Sequence, residues 1–270
     1  MPPFSFMTAG SACIFVDGEN LRHSLVELFK QEFDPADYLP KRTDWTGFFD
    51  ALVQLAGAIS RLRAYWYVVE HIDFWPWGLA RLSSDAVKLQ RVLAQDKKCV
   101  QDLAALAPAQ REGWAHQKLL DLITRERRMK NRFDGWKAFQ DGITNRFDAI
   151  EFRRAGAITY NLFTQQLGRE KAVDVKLATD LLEFRSIYDV GIIVSGDQDY
   201  VPAVQAAKDS GKQMVNVSFL KRDGQVLPGG ARRLNQTTDR TIEMHYSDLL
   251  KFMRFPVQAA AVPPPPPAAP

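Results

Sequence analysis

Four aspartates of this 270-residue chain stand where apolar runs end or apolar helices begin. Asp17 closes the run Ala12-Cys13-Ile14-Phe15-Val16 and is followed by Gly18-Glu19-Asn20. Asp197 and Asp199 follow Val190 to Val194 in the turn Ser195-Gly196-Asp197-Gln198-Asp199. Asp174, in Lys171-Ala172-Val173-Asp174, sits where an apolar-periodic stretch starts. Carboxylates at the carboxyl ends of buried strands meet in the crevice where open α/β sheets place their ligands. Gathered there without partners they repel one another and raise their own pKa values, unless a cation joins them. Oxygen donors without imidazole or thiolate select hard cations such as Mg2+ or Mn2+ over zinc. The expected chemistry is therefore metal-assisted. Asp17 and Asp197 terminate strands and are the first candidates for direct ligands. Asp174 and Asp199 are candidates for a second ion or for water-mediated contact, and Asn20 and Ser195 for supporting or phosphate-contacting roles.

Each residue also has a plainer reading. A lone Asp at a strand end forms turns or caps helices. Asp199 could cap the helix that starts at Tyr200, and Asp174 and Asn20 could cap theirs. Glu19 reads either as a charge at a helix N-terminus or as an outer acid of the site. Asp180, four residues after Lys176, reads as half of a surface ion pair.

The elements that must position these groups follow from periodicity. Ser11 to Asp17 is apolar on both faces and reads as a buried strand. Leu21, Leu25 and Leu28 then recur at helical spacing, and Asp44 can cap a second helix carrying Trp45, Phe48, Phe49, Leu52 and Leu55. Arg61 to Val69 has the aromatic and β-branched density of a strand. Leu79 to Phe147 reads as a helical insertion (79–147) broken near Pro108 and Gly135. Strand-like runs resume at Ala149 to Arg153 and Ala157 to Tyr160. Val173 to Phe184 is an expected helix, Tyr188 to Val194 a strand, Tyr200 to Asp209 a helix and Gln213 to Phe219 a strand. Such alternation means parallel pairing through right-handed crossovers. The expected architecture is a single α/β domain over 11–245, then a terminal helix within 246–256. An Ala/Pro-rich tail (257–270) is expected to be disordered or polyproline II, with scope to bind a protein partner.

Composition sets bounds. Hydrophobic residues make up 46% and charged residues 25%, so a globular core is expected rather than wholesale disorder. The formal net charge of +3 neither demands nor forbids a polyanionic partner. Two cysteines make no disulfide framework and no zinc set. No stretch approaches the ~20 apolar residues of a spanning helix, and the expected setting is reducing and cytoplasmic, with no membrane partner.

Three motifs carry a family resemblance. Ile14 to Arg22 (I-F-V-D-G-E-N-L-R), Lys171 to Leu182 (K-A-V-D-V-K-L-A-T-D-L-L) and Val194 to Val204 (V-S-G-D-Q-D-Y-V-P-A-V) resemble, in order, the motifs of NYN domains. NYN domains belong to the PIN-like nuclease superfamily, LabA-like proteins included. The S-G-D-x-D-[FY] turn is the most specific piece. The resemblance covers roughly 11–70 and 149–245. It implies a Rossmann-like three-layer fold with a central, mostly parallel sheet. It also implies Mg2+- or Mn2+-dependent hydrolysis of RNA, leaving a 5′-phosphate and a 3′-hydroxyl. By position Asp17, Asp174, Asp197 and Asp199 correspond to the family's acidic cluster, with Asn20 beside it. Four acids in register with these motifs outweigh the separate capping readings.

An RNA partner, expected single-stranded, needs a basic surface. Arg125, Arg127, Arg128, Lys130 and Arg132 fall in the insertion with Trp114, Phe133, Trp136 and Phe139 among them, and Arg153 and Arg154 follow. Arginine beside aromatics suits phosphate contacts and base stacking; the alternative is a solvated helix face with aromatics in its core. Lys221 and Arg222 are further candidates for the phosphate backbone. The competing functional expectation is a weakly catalytic or inactive NYN-like module that binds RNA or protein. A homodimer is compatible with either.

Overall fold

In the computed structural model, residues 9–32, 34, 37–227 and 232–255 are described; the tail expectation for 257–270 lies outside them. Seven strands form one sheet: β1 (Ala9–Asp17), β2 (Ala58–Trp75), β3 (Ile150–Asn161), β4 (Gln166–Lys171), β5 (Val190–Val194), β6 (Gln213–Leu220) and β7 (Arg240–His245). Their order is β4-β3-β2-β1-β5-β6-β7, and every pairing is parallel except the β3–β4 hairpin. From β1 the chain moves outward one way through β2 and β3, then returns to place β5, β6 and β7 on the other side. The order therefore reverses between β1 and β5, the topological switch point where doubly wound sheets bind ligands. This is the expected α/β, Rossmann-like architecture.

Side-chain alternation along β2 separates the two covering layers. Trp66 packs against Trp45 (4.8 Å between ring centroids) and Phe49 (5.8 Å) of α2 (Trp45–Leu55). Tyr65 and Tyr67 face the opposite way: Tyr65 packs against Phe184 with ring centroids 4.8 Å apart, and the Tyr67 hydroxyl donates to Asp180 of α6 (Val173–Glu183) at 3.1 Å. Phe15 of β1 packs against Tyr65 and so lies on the α6 side. Asp17, two residues on, shares that side. The interior of β1 and all of β5 are buried, which explains their uninterrupted apolar runs.

Several expected boundaries move. β2 runs to Trp75 because it stays paired with β3 as far as Trp75↔Asn161. β3 is one strand where two runs were expected; Gly156, at φ +63°, turns it without breaking the pairing. A Cβ at Gly156 would collide with the Lys171 carbonyl, so glycine lets β4 lie close to β3. β4 and β7 were not anticipated. Both carry few apolar residues and sit at the sheet's edges, where ladder hydrogen bonds rather than burial define a strand. Within 79–147 the helices are α3 (Ala86–Leu93), α4 (Lys97–Ala105) and α5 (Pro108–Arg146). Pro108 starts α5, as its fixed φ favours. No break occurs at Gly135: α5 is continuous for 39 residues, held by a buried stripe including Leu119, Leu122, Met129, Phe133 and Trp136. The remaining helices are α1 (Gly18–Leu28), α7 (Val201–Asp209), α8 (Arg232–Thr237) and α9 (Tyr246–Met253). No helix among the described residues is long and apolar enough to cross a membrane.

Candidate active site

Asp17 is the last residue of β1 and the N-cap of α1, 4% exposed. The helix starts so abruptly because Gly18 lacks a side chain: a Cβ there would meet the Tyr67 carbonyl and Val68. Both Asp17 oxygens accept hydrogen bonds. Oδ1 takes the Asn20 backbone N–H (3.0 Å), and Oδ2 takes the Ser195 hydroxyl (2.9 Å). Asp17, not Asn20, thus caps the helix. The Asn20 side-chain oxygen instead accepts the Gly196 N–H at 2.8 Å, tying the end of β1 to the turn after β5.

That turn is ordered from within. Ser195 Oγ accepts the Asp197 N–H at 3.0 Å while donating to Asp17, and Asp197 Oδ1 accepts the Asp199 N–H at 2.9 Å. Asp197 therefore caps the short 3-10 turn Gln198–Tyr200. Tyr200, buried, sends its hydroxyl back to Asp174 Oδ1 at 2.7 Å, with Asp17 Oδ2 at 3.4 Å. Asp174 lies in the first turn of α6 and is not its cap; that position is Ala172, at φ +73°. Asp17, Asp174 and Asp197 are thus brought together by β1, α6 and the turn after β5. Asp199, two residues after Asp197 in the same turn, is exposed.

A fourth acid joins them. Glu170, on β4, comes within the field of Asp17, Glu19, Asp174 and Asp197, and its Oε2 is buried without a hydrogen-bond partner. Burial first, then these four negative neighbours, push its carboxyl up to about 8. Burial also pushes Asp17 up to about 6; Asn20 and Ser195 oppose that shift, while Asp174 and Asp197 add to it. Glu19 is raised chiefly by burial. The Tyr200 hydroxyl is raised by burial and by Asp17, which keeps it a proton donor. Glu170 was missed because β4 was not recognised as a strand. Its only sequence signal is an acid four residues before Asp174.

The basic residues expected to meet RNA divide. Arg153 pairs with Glu151 (2.8 Å) and Asp180 (3.3 Å) and lies over the Tyr65 and Phe184 rings. Arg154 pairs with Asp141 at 2.6 Å, Lys221 with Glu27 at 3.3 Å, and Arg222 with Glu32. These four are held by carboxylates of the same chain. Arg128 and Lys130 are exposed on α5, with no side-chain bond among the described residues. Phe133 and Trp136 are buried in the packing of α5, so they are not an open stacking platform; Trp136 lies against Tyr38 (5.4 Å) and beneath Arg22 and Arg132. Asp180 is likewise not on the surface. It is fully buried, accepting from Lys176 (2.7 Å), Arg153 and Tyr67.

Residues 114–245 match the NYN domain. NYN is a PIN-like nuclease family. The NYN match holds Glu170, Asp174, Ser195, Asp197, Asp199 and Tyr200, and begins inside α5; Asp17 and Asn20 lie before it. No curated protein matches the chain. A crystal structure of a protein of unknown function from Vibrio parahaemolyticus is similar at a TM-score of 0.39 and 15% identity, covering 88% of this chain and 94% of that one.

Among the described residues no group of three or more His, Cys, Asp or Glu side chains is arranged to hold a metal ion. The chemistry of the site nonetheless suits a hard divalent cation. Its donors are all oxygen, the main charges acting on Glu170 are all negative, and Glu170 Oε2 is buried without a hydrogen-bond partner.

Proposed function

We propose that this protein is a divalent-metal-dependent ribonuclease that hydrolyses phosphodiester bonds in single-stranded RNA. The observation that carries the reading is the concentration of Asp17, Glu170, Asp174 and Asp197 at the switch point between β1 and β5. The NYN match, a PIN-like nuclease family, supports it. Asp17, Asp174 and Asp197, with the free oxygen of Glu170, would hold Mg2+ or Mn2+. Such an ion lowers the pKa of a bound water and neutralises charge on phosphoryl oxygens. The chain's own groups supply orientation. Ser195 and the Asn20 N–H fix both oxygens of Asp17, Tyr200 keeps a proton directed at Asp174, and the Asn20–Gly196 bond holds the two strand ends in register. Exposed Arg128 and Lys130 are candidates for the RNA backbone.

The test is degradation of labelled single-stranded RNA with Mn2+, by wild-type protein and by Asp197→Asn. Cleavage by wild type and its loss in the variant are expected; equal turnover by the two would overturn the assignment. A second reading, an NYN-like binding module, draws on the full engagement of both Asp17 oxygens within the chain. RNA gel shift in EDTA without any degradation in Mn2+ would favour it.

A further inference from the structure

A cavity of about 340 Å3 opens directly beside the acidic cluster and shares a wall with it. Asn20, Ser195 and Gly196, the residues that hold Asp17 and the turn after β5, form its inner side. His23, Ser24 and Glu27 of α1 form a second wall, and the end of β6 with Val226 and Leu227 closes the third. Resting on the ribonuclease reading, we infer that this cavity seats the nucleoside portion of one unpaired nucleotide next to the scissile phosphate.

Three features select that occupant. Among the described residues the lining contains no Lys or Arg to receive a phosphate, and its Glu27 carboxylate is already paired with Lys30 and Lys221, so an uncharged group is favoured. Phe219, Val226 and Leu227 offer apolar surface to a base, while Ser24, His23 and Asn20 offer polar contacts of the kind a ribose or a base edge uses. The volume sits at the low end of small-ligand pockets, roughly 300–1,000 Å3, so it suits one nucleoside rather than a run of stacked bases. A base can enter only when unpaired and turned out of its stack, which in a duplex costs pairing and stacking energy. The cavity would thus make the enzyme selective for single strands without any long stacking groove, in keeping with the burial of Phe133 and Trp136.

The test uses Val226→Trp, which adds bulk at the mouth. Val226 is 47% exposed and outside the acidic cluster, so the substitution is compatible with folding; Ser24→Phe provides a second blockade from the α1 side. Affinity for a fluorescein-labelled ten-residue single-stranded RNA is measured in EDTA, with free adenosine and uridine as competitors. At least tenfold weaker binding by both variants, and competition by a nucleoside against wild type only, are expected. Wild-type affinity in both variants would overturn the inference. Cleavage in Mn2+ separates the two levels. Pocket-dependent binding with no cleavage by wild type would keep the nucleoside site and sink the nuclease reading. Cleavage untouched by either blockade would keep the nuclease and sink the site.

Discussion

The Tyr200 hydroxyl stands 2.7 Å from Asp174 Oδ1, a bond that couples the helix after β5 to the first turn of α6. The same oxygen lies 3.4 Å from Asp17 Oδ2, so one buried phenol spaces two carboxylates from different elements. Tyr200→Phe keeps the ring and removes only the donor. Bonds to charged groups contribute about 1.5–3 kcal/mol. Urea unfolding of the metal-free protein should therefore show a loss within that range, and RNA cleavage should fall as Asp174 loses its orientation. An unchanged unfolding midpoint would show the bond to be of no consequence.

Asp197→Asn separates chemistry from folding. Asparagine caps as well as aspartate, so the bond to the Asp199 N–H survives and the thermal midpoint should hold. Losing about 3 kcal/mol of transition-state stabilisation lowers the rate more than a hundredfold. The pair of measurements is kcat on RNA and the melting curve. A variant that melts early and cleaves normally would reverse the assignment.

The raised acids make a pH prediction for metal-free protein. Asp17 at about 6 and Glu170 at about 8 bind protons more tightly in the folded state than in the unfolded chain. Their stabilising contribution is complete below the unfolded carboxylate pKa values, roughly 4, and is lost as pH rises through 6 and 8. Stability in EDTA should fall over that window. Glu170→Gln should flatten the upper part of the fall and raise the melting temperature at pH 8. Added Mn2+ should oppose the fall in the wild type, since a ligand of the folded state stabilises it. A stability curve that rises from pH 5 to 8 in EDTA would contradict this account of the cluster.

Asp180 offers a purely structural contrast. It is fully buried between Lys176, Arg153 and the Tyr67 hydroxyl. Removing one side of a buried pair costs about 3–5 kcal/mol, because the cations lose their counter-charge. Asp180→Ala should lower the unfolding free energy by about 3 kcal/mol, with any loss of cleavage recovered at lower temperature. Loss of cleavage in fully folded variant would move Asp180 into the site.

Exposed charges should act through salt. Neutralised phosphates release counterions, so affinity falls linearly with salt on logarithmic axes, by a slope that tracks the number of contacts. Arg128→Glu combined with Lys130→Glu should weaken RNA binding and make that slope shallower. An identical slope in the double variant would exclude this face of α5 from the RNA path.

The sequence by itself determined the buried parallel strands and the acids at their ends. Apolar runs such as Ala12 to Val16 and Val190 to Val194 are legible because burial on both faces demands them. The residue after such a run must lie at the sheet's carboxyl edge, which placed Asp17 and the turn from Ser195 to Asp199. Tertiary structure alone decided which acids share a field. Glu170 enters because Gly156 allows β4 to close on β3. It also decided the fate of the cations: Arg153 and Arg154 read as free in a linear chain, yet each meets a carboxylate distant in sequence. Local pattern fixes an element and its end. Partners across the sheet depend on pairing order and side-chain direction, which no short window of residues encodes.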